Sequence, residues 1–291
     1  MIRNRILRAC TIGMALLVEL SAVAVGQATL MLLFREMDPH VGQAFELRVV
    51  EGSSGREIAR HSLPKIPVPA FMLEIGDLQI RESYRIDFYA DANGNGRYDA
   101  PPIDHAWRIE FPDVQGHGTL TFTHNADFTD IAWPPRIDGQ IGELEYRNEM
   151  VDSATGMTVY WQNDATTLYV GLVSPGTGWL SIGFDPERQM EGANIIIGAI
   201  DNGSLVIEDQ YGSSPTAHRK DDVDHVIQAA GSEAEGQSIL EFAIPLVSGD
   251  EQDKPLEPGS EIVIILAYHQ SNDGLTSRHS ERSTTSILLD E

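Results

Sequence analysis

No long stretch of this chain carries a helical repeat. Short runs of β-branched and aromatic residues alternate with polar ones instead, and clusters of Gly, Asn, Asp and Pro close each run. A period of two, interrupted by turn residues, is what half-buried strands on facing sheets require. The chain therefore reads as all-β, built of sandwiches.

Strands are predicted in the first half at residues 30–35, 44–50, 57–61, 70–75, 84–90, 107–111 and 119–123. A second set follows at 157–162, 168–173, 179–184, 195–200, 205–208, 226–229, 238–242, 261–268 and 284–289. Between the sets lies Ile131-Ala-Trp-Pro-Pro-Arg-Ile137, whose two prolines interrupt any sheet. With 291 residues there is enough chain for two cores. The expected layout is an N-terminal Ig-like or transthyretin-like sandwich over 27–132 and a second sandwich over 133–291.

The first 26 residues read as a secretory signal. Arg3, Arg5 and Arg8 form a basic start, an apolar run follows, and small residues at Ala22, Ala24 and Gly26 suit cleavage after Gly26. An uncleaved anchor, giving membrane association, is the rival; Glu19 inside so short a run argues against a stable span. The one cysteine, Cys10, lies in this segment. The mature chain would then have no thiol, which excludes disulfides, Cys-ligated zinc, iron–sulfur clusters and thioether-linked haem. Formal net charge is −24. Such a surface repels nucleic acid and anionic membranes, and its simplest meaning is solubility.

One stretch stands out: Gly178-Trp-Leu-Ser-Ile-Gly-Phe184, followed by Met190-Glu-Gly-Ala-Asn-Ile-Ile-Ile-Gly198. A strand ending in Gly-Phe, a polar turn, a lone Met and a small-residue step into an apolar strand resembles the DOMON family, named for the N-terminal domain of dopamine β-monooxygenase. The likeness runs from about Asp138 to Glu291. It includes Asp209-Gln-Tyr211, an amphipathic strand ending at Pro245-Leu246, the core strand 261–268, and His279 before the last strand.

The resemblance implies a sandwich that holds b-type haem between a Met and a His. Met190 is then one axial ligand and His279 the other, with His269 in reserve and Trp179 and Phe184 beside the cofactor. A thioether favours ferrous iron, and His/Met ligation fills both axial sites, so such a haem passes electrons and offers no open position to substrate. Outside that pattern, a turn Met is usually packing and a loop His usually surface. The favoured function is an exported haem protein of electron transfer with an unknown redox partner, in the periplasm, at the cell surface or secreted. The alternative is a surface module that binds carbohydrate or another ligand without haem. No Ser/His/Asp set or carboxylate pair is placed for catalysis, so an enzyme is not expected.

In the first half, Asp91-Ala-Asn-Gly-Asn-Gly-Arg-Tyr-Asp99 follows the opening of a calcium loop, with Asp91, Asn93, Asn95 and Asp99 as ligands and Gly96 at the sharp turn. Pro102 stands where a bidentate Glu belongs, and Asp104 is the substitute. The rival reading is a hairpin turn rich in Asx residues, which needs no ion. His117 and His124 lie seven apart, on opposite faces of a strand, so a shared metal is not expected.

Overall fold

The computed structural model describes residues 26–53 and 55–291, so the signal segment and Cys10 lie outside the described residues. Among those residues there is no α-helix; the chain is strands joined by turns, as its two-residue period requires. It divides into two compact units. One holds the described residues up to Ala90 together with Trp107–Phe128, and the other holds Asp91–Ala106 with Thr129–Glu291. The excursion 91–106, which carries the calcium-like loop, thus belongs with the second unit.

The first unit contains two sheets. One orders β4 (Phe71–Gln79), β1 (Gln27–Arg35) and β7 (Gly118–Thr123); the other orders β3 (Glu57–Leu63), β2 (Phe45–Glu51), β5 (Tyr84–Ala90) and β6 (His105–Phe111). Alternate residues of β1 turn inward: Ala28, Leu30, Leu32 and Phe34 are buried. Phe34 meets Phe45 and Phe88 edge-on, at 5.2 Å in each case. The buried Asp87 carboxylate is compensated by Arg48 at 3.0 Å and Arg108 at 2.6 Å.

The second unit is a larger sandwich. Its five-stranded sheet runs β15 (Gln228–Ala234), β16 (Gln237–Pro245), β10 (Thr167–Ser174), β9 (Thr158–Asn163), β8 (Asn148–Val151). Its six-stranded sheet runs β14 (Ala217–Lys220), β13 (Ser204–Ser214), β12 (Asn194–Asp201), β11 (Leu180–Phe184), β17 (Glu261–Tyr268), β18 (Glu281–Leu288). Between the sheets lie Val159, Trp161, Leu168, Val170, Leu172, Leu180, Ile182, Phe184, Ile196, Leu240, Phe242, Ile264 and Leu266. Most predicted strands are present within a few residues of their expected ends. The short edge strands β8 and β14 were not expected, and β13 runs well past residue 208.

Glu241 sits on β16 at a position that faces away from that core, yet it is fully buried. The segment entering the unit crosses over it. The Asp138 and Gly139 amides donate to Glu241 Oε2 at 3.2 and 2.7 Å, and the Tyr146 hydroxyl donates to Oε1 at 2.8 Å. Ser232 fastens the same segment by donating to the Gly139 carbonyl at 2.6 Å. Burial pushes the Glu241 carboxyl up to about 7, with the donors opposing.

The sign of the resulting pH dependence is fixed. Between the unfolded value near 4.5 and about pH 7 the folded state keeps a proton that the unfolded chain has lost, so stability falls as pH rises through that window. The fall from this group is on the order of 3 kcal/mol. Urea unfolding from pH 4.5 to 8 should show it in the wild type and should show a shallower slope in Glu241→Gln. Identical slopes in the two proteins rule out the assignment.

Candidate functional site

β11 is the pivot of the six-stranded sheet, paired on one side with β12 and on the other with β17. Leu180, Ile182 and Phe184 point into the sandwich, so Ser181 and Gly183 point out. Phe184 therefore belongs to the core and does not line a site on the outer face, which corrects its expected place beside a cofactor. The outer face around Gly183 is apolar, formed by Ile195, Ile197 and Ala199 of β12 with Ile265 and Ala267 of β17, and Trp179 covers the part over Ile197, Ala199 and Ala267. A Cβ at residue 183 would meet Ile265 and Ile195 at 2.7 and 3.0 Å.

Two loops leave opposite ends of this strand. At the Phe184 end, where Phe184 pairs with Asn194 and Ile264, residues 185–193 form the hairpin carrying Met190. At the Leu180 end, where Leu180 pairs with Gly198 and Tyr268, residues 269–280 carry His269 and His279. The structure does not bring Met190 and His279 into contact; it sets their loops at the two ends of one apolar face.

The Met190 hairpin is tightly built. Glu187 and Glu191 close it by a 2.8 Å backbone bond, and the Ala193 amide donates to the Met190 carbonyl at 3.1 Å. Gly212 of β13 passes so close that any side chain there would strike that carbonyl. Met190 itself is half-buried.

The other loop is clamped by Trp179. Its amide donates to the Asn272 carbonyl at 3.0 Å, its carbonyl accepts from the His269 amide at 2.8 Å, and its indole Nε1 donates to Ser277 Oγ at 2.8 Å. The indole is buried against Ile197 and Ala199, with Leu275 of the loop packed alongside. Trp179 thus acts by holding the loop.

The two histidines differ in chemistry. His269 Nδ1 accepts from the Ser271 and Asn272 amides at 3.1 and 3.0 Å. A neutral ring that accepts at one nitrogen carries its proton on the other, so no lone pair is left for a metal. His279 is half-buried, and burial pushes its pKa down, with Arg282 and Arg278 adding to the effect. At neutral pH it is an uncharged imidazole.

The calcium-like loop spends its oxygens on itself. Asp91 accepts from the Gly94, Asn95 and Gly96 amides, at 2.7, 3.2 and 2.9 Å. Asn93 Oδ1 takes the Asn95 amide at 3.1 Å and Asn95 Oδ1 the Arg97 amide at 2.9 Å. Asp99 Oδ2 accepts from both Asn side-chain amides, and the buried Asp104 caps Ala92 and Asp99. This is the geometry of the self-closed Asx hairpin, and nothing in it supports the expected calcium ion. His117 and His124 do not share a site either: His117 Nδ1 accepts from the Thr29 amide at 3.1 Å, while His124 lies 3.1 Å from His40.

One grouping escaped the sequence reading. Among the described residues, Asp209, His225 and Asp253 bring three donor atoms within 4.8 Å of one another. Asp209 entered above only as part of the family likeness. The acidic run Asp221-Asp222-Val223-Asp224-His225 was the available signal. Burial pushes the Asp209 carboxyl up to about 6, helped by Asp253, Asp221 and Asp224 and opposed by the His225 amide. A cavity of about 360 Å³ also lies in the second unit, lined in part by Tyr98, Trp133, Arg147, Asn163 and Tyr169.

Residues 153–269 match the family model of the DOMON domain, so the second half of the chain carries the domain its motif order pointed to. The human DBH-like monooxygenase protein 1 is 24% identical over 159 residues, which cover 54% of this chain and 26% of that protein. The mouse protein of the same name is 23% identical over 141 residues, covering 48% and 23%. The chain therefore spans about a quarter of the length of these curated relatives. Among solved structures, the cytochrome b domain of pyranose dehydrogenase from Coprinopsis cinerea is similar at 12% identity with a TM-score of 0.41, covering 48% of this chain and 80% of that one.

The clamp on the 269–280 loop is testable. Gly178 lies against the Asn272 backbone and the His269 carbonyl, leaving no room for a Cβ. Gly178→Ala should cost about 1–3 kcal/mol and speed amide exchange across 269–280. Trp179→Phe, which loses the bond to Ser277 and part of the buried indole, should cost about 1–3 kcal/mol. Unchanged exchange in Gly178→Ala contradicts the clamp.

Proposed function

We propose that the second unit binds b-type haem with Met190 and His279 as axial ligands and serves electron transfer as an exported protein. The observation that carries this reading is the placement of the two loops at opposite ends of β11, across an apolar face narrowed to glycine at Gly183. Met190 and His279 would hold such a group by reaching in from the two ends of that face. The DOMON match and the Met190 turn support it.

The residues present fit such a group. His279 is uncharged and so has a donor nitrogen, whereas His269 has spent its acceptor nitrogen on its own loop. Trp179 would hold the His279 loop in register, and the Gly212 contact would do the same for Met190. Arg278 and Arg282 flank His279 and could neutralise carboxylates at the group's edge. Haem with these ligands supplies a one-electron couple of raised potential and no open coordination site. No helix among the described residues is long and apolar enough to cross a membrane. Export rests on the N-terminal segment. The monooxygenase named in the relatives is not part of this proposal.

A second reading has its own observation. The cavity near Tyr98, Trp133 and Tyr169 joins aromatic rings to Asn, Asp and Arg side chains, a lining that suits a sugar. The binding-module alternative belongs there.

Spectroscopy separates them. Protein made with haem available should be coloured and low-spin, and acid acetone should release the pigment, because no cysteine lies beyond residue 26 to anchor it. Met190→Ala and His279→Ala should each lose the six-coordinate spectrum, and His279→Ala should regain it with added imidazole. His269→Ala should keep it. Protein that stays colourless through haemin titration would falsify the haem reading and leave the binding module.

A further inference from the structure

The second unit holds a buried polar cluster that neither the haem reading nor the fold explains. Asp209 lies on β13 opposite Ile196 and so faces the interior; it is 1% exposed. Its Oδ2 accepts the His225 amide at 2.8 Å, which fixes the carboxylate's orientation, and its Oδ1 is buried with no hydrogen bond. Asp253 comes from the segment between β16 and β17. Its side chain is 4% exposed, Ser248 lies within its reach, and neither of its oxygens makes a well-aligned hydrogen bond. His225 Nδ1 is 3.0 Å from Asp253 Oδ2 and 3.9 Å from Asp209 Oδ2, off the line that a hydrogen bond to either needs. With its amide turned to donate, Gln252 reaches Asp221 Oδ1 at 2.7 Å and ties the 253 segment to the 221 segment.

Three carboxylate oxygens and an imidazole nitrogen without a well-aligned hydrogen bond in one buried spot are costly, since the contacts left to them replace water poorly. A cation is the partner that would satisfy all of them together. The donor type narrows its identity. Calcium wants six to eight oxygens, whereas two carboxylates with an imidazole suit a first-row divalent ion. Bonds of about 2.0–2.2 Å at tetrahedral or octahedral angles place donors roughly 3–3.6 Å apart; here His225 lies 3.0 Å from Asp253 and 3.9 Å from Asp209, with all three donor atoms within 4.8 Å, so small side-chain shifts would close the site.

We propose that Asp209, His225 and Asp253 form a binding site for a divalent first-row metal ion, with zinc as its natural probe. The ion ties β13 to two segments, 221–227 and 246–260, that contribute little to either sheet. Its role is then structural, locking the end of the sandwich where Lys254, beside Asp253, also donates to the Asp185 carbonyl at 2.8 Å and pairs with Glu187 at 3.5 Å in the Met190 hairpin.

The full-length protein, stripped with chelator, should bind one equivalent of zinc per chain by calorimetry and melt at a higher temperature with it. His225→Gln and Asp253→Asn should each weaken zinc binding at least about tenfold, while His61→Gln, a change at a distant histidine, should not. His225 is partly exposed, so its variant is the safer one if Asp253→Asn fails to fold. Manganese should compete for the site, and calcium should not. Absence of saturable zinc binding, wild-type affinity in His225→Gln, or displacement of zinc by millimolar calcium would each overturn the proposal.

Discussion

Everything in the second unit depends on the pairing of β11 with a neighbour on each side. All five residues are in register with partners on both flanks, alternate residues bonding to alternate neighbours, and all five are buried. Strict alternation then divides them, apolar bulk inward and Ser181 with Gly183 outward. The inner set anchors the core, and the outer set lies under isoleucines of the two neighbouring strands, with Trp179 packed on the same face. The same pairing fixes which loop leaves which end. The position of Met190 and of the His279 loop follows from it, with the Trp179 clamp supplying the remaining order.

The strands were legible because each carries its own two-residue period. Their environment was less so. Phe184 sits in a family motif, and the motif does not say which face of the strand it occupies; alternation from Leu180 settles that it is core. Glu241 has the inverse problem. Its place in the alternation says outward, and outward normally means solvent, but a segment a hundred residues earlier covers it. β8 and β14 are edge strands of four residues each, too short to show a period.

The site residues were legible to different depths. Met190 and His279 could be named because their neighbours form an ordered pattern. The resemblance put His279 ahead of His269 by position alone; the turn that consumes the His269 acceptor is invisible in residue order. In the Asp91 loop, alternating oxygens look the same in sequence whether they face an ion or their own backbone. Asp209, His225 and Asp253 come from a strand and two irregular segments, where no period carries information. Only packing brings them together.

The length of β11 also acts as a ruler. Four steps between Leu180 and Phe184 span roughly 13 Å, and each residue added moves the two loops about 3.3 Å further apart. A single insertion would also turn the outer face inward, exchanging Gly183 for a core position. Only changes of two residues keep the faces, and those alter the gap by nearly 7 Å. The span between the two loops can thus vary only in coarse steps, while the hairpin and the clamped loop remain free to vary in length. Among proteins built on this sheet, differences in what fits across the face should be written in the loops, and β11 should keep its count.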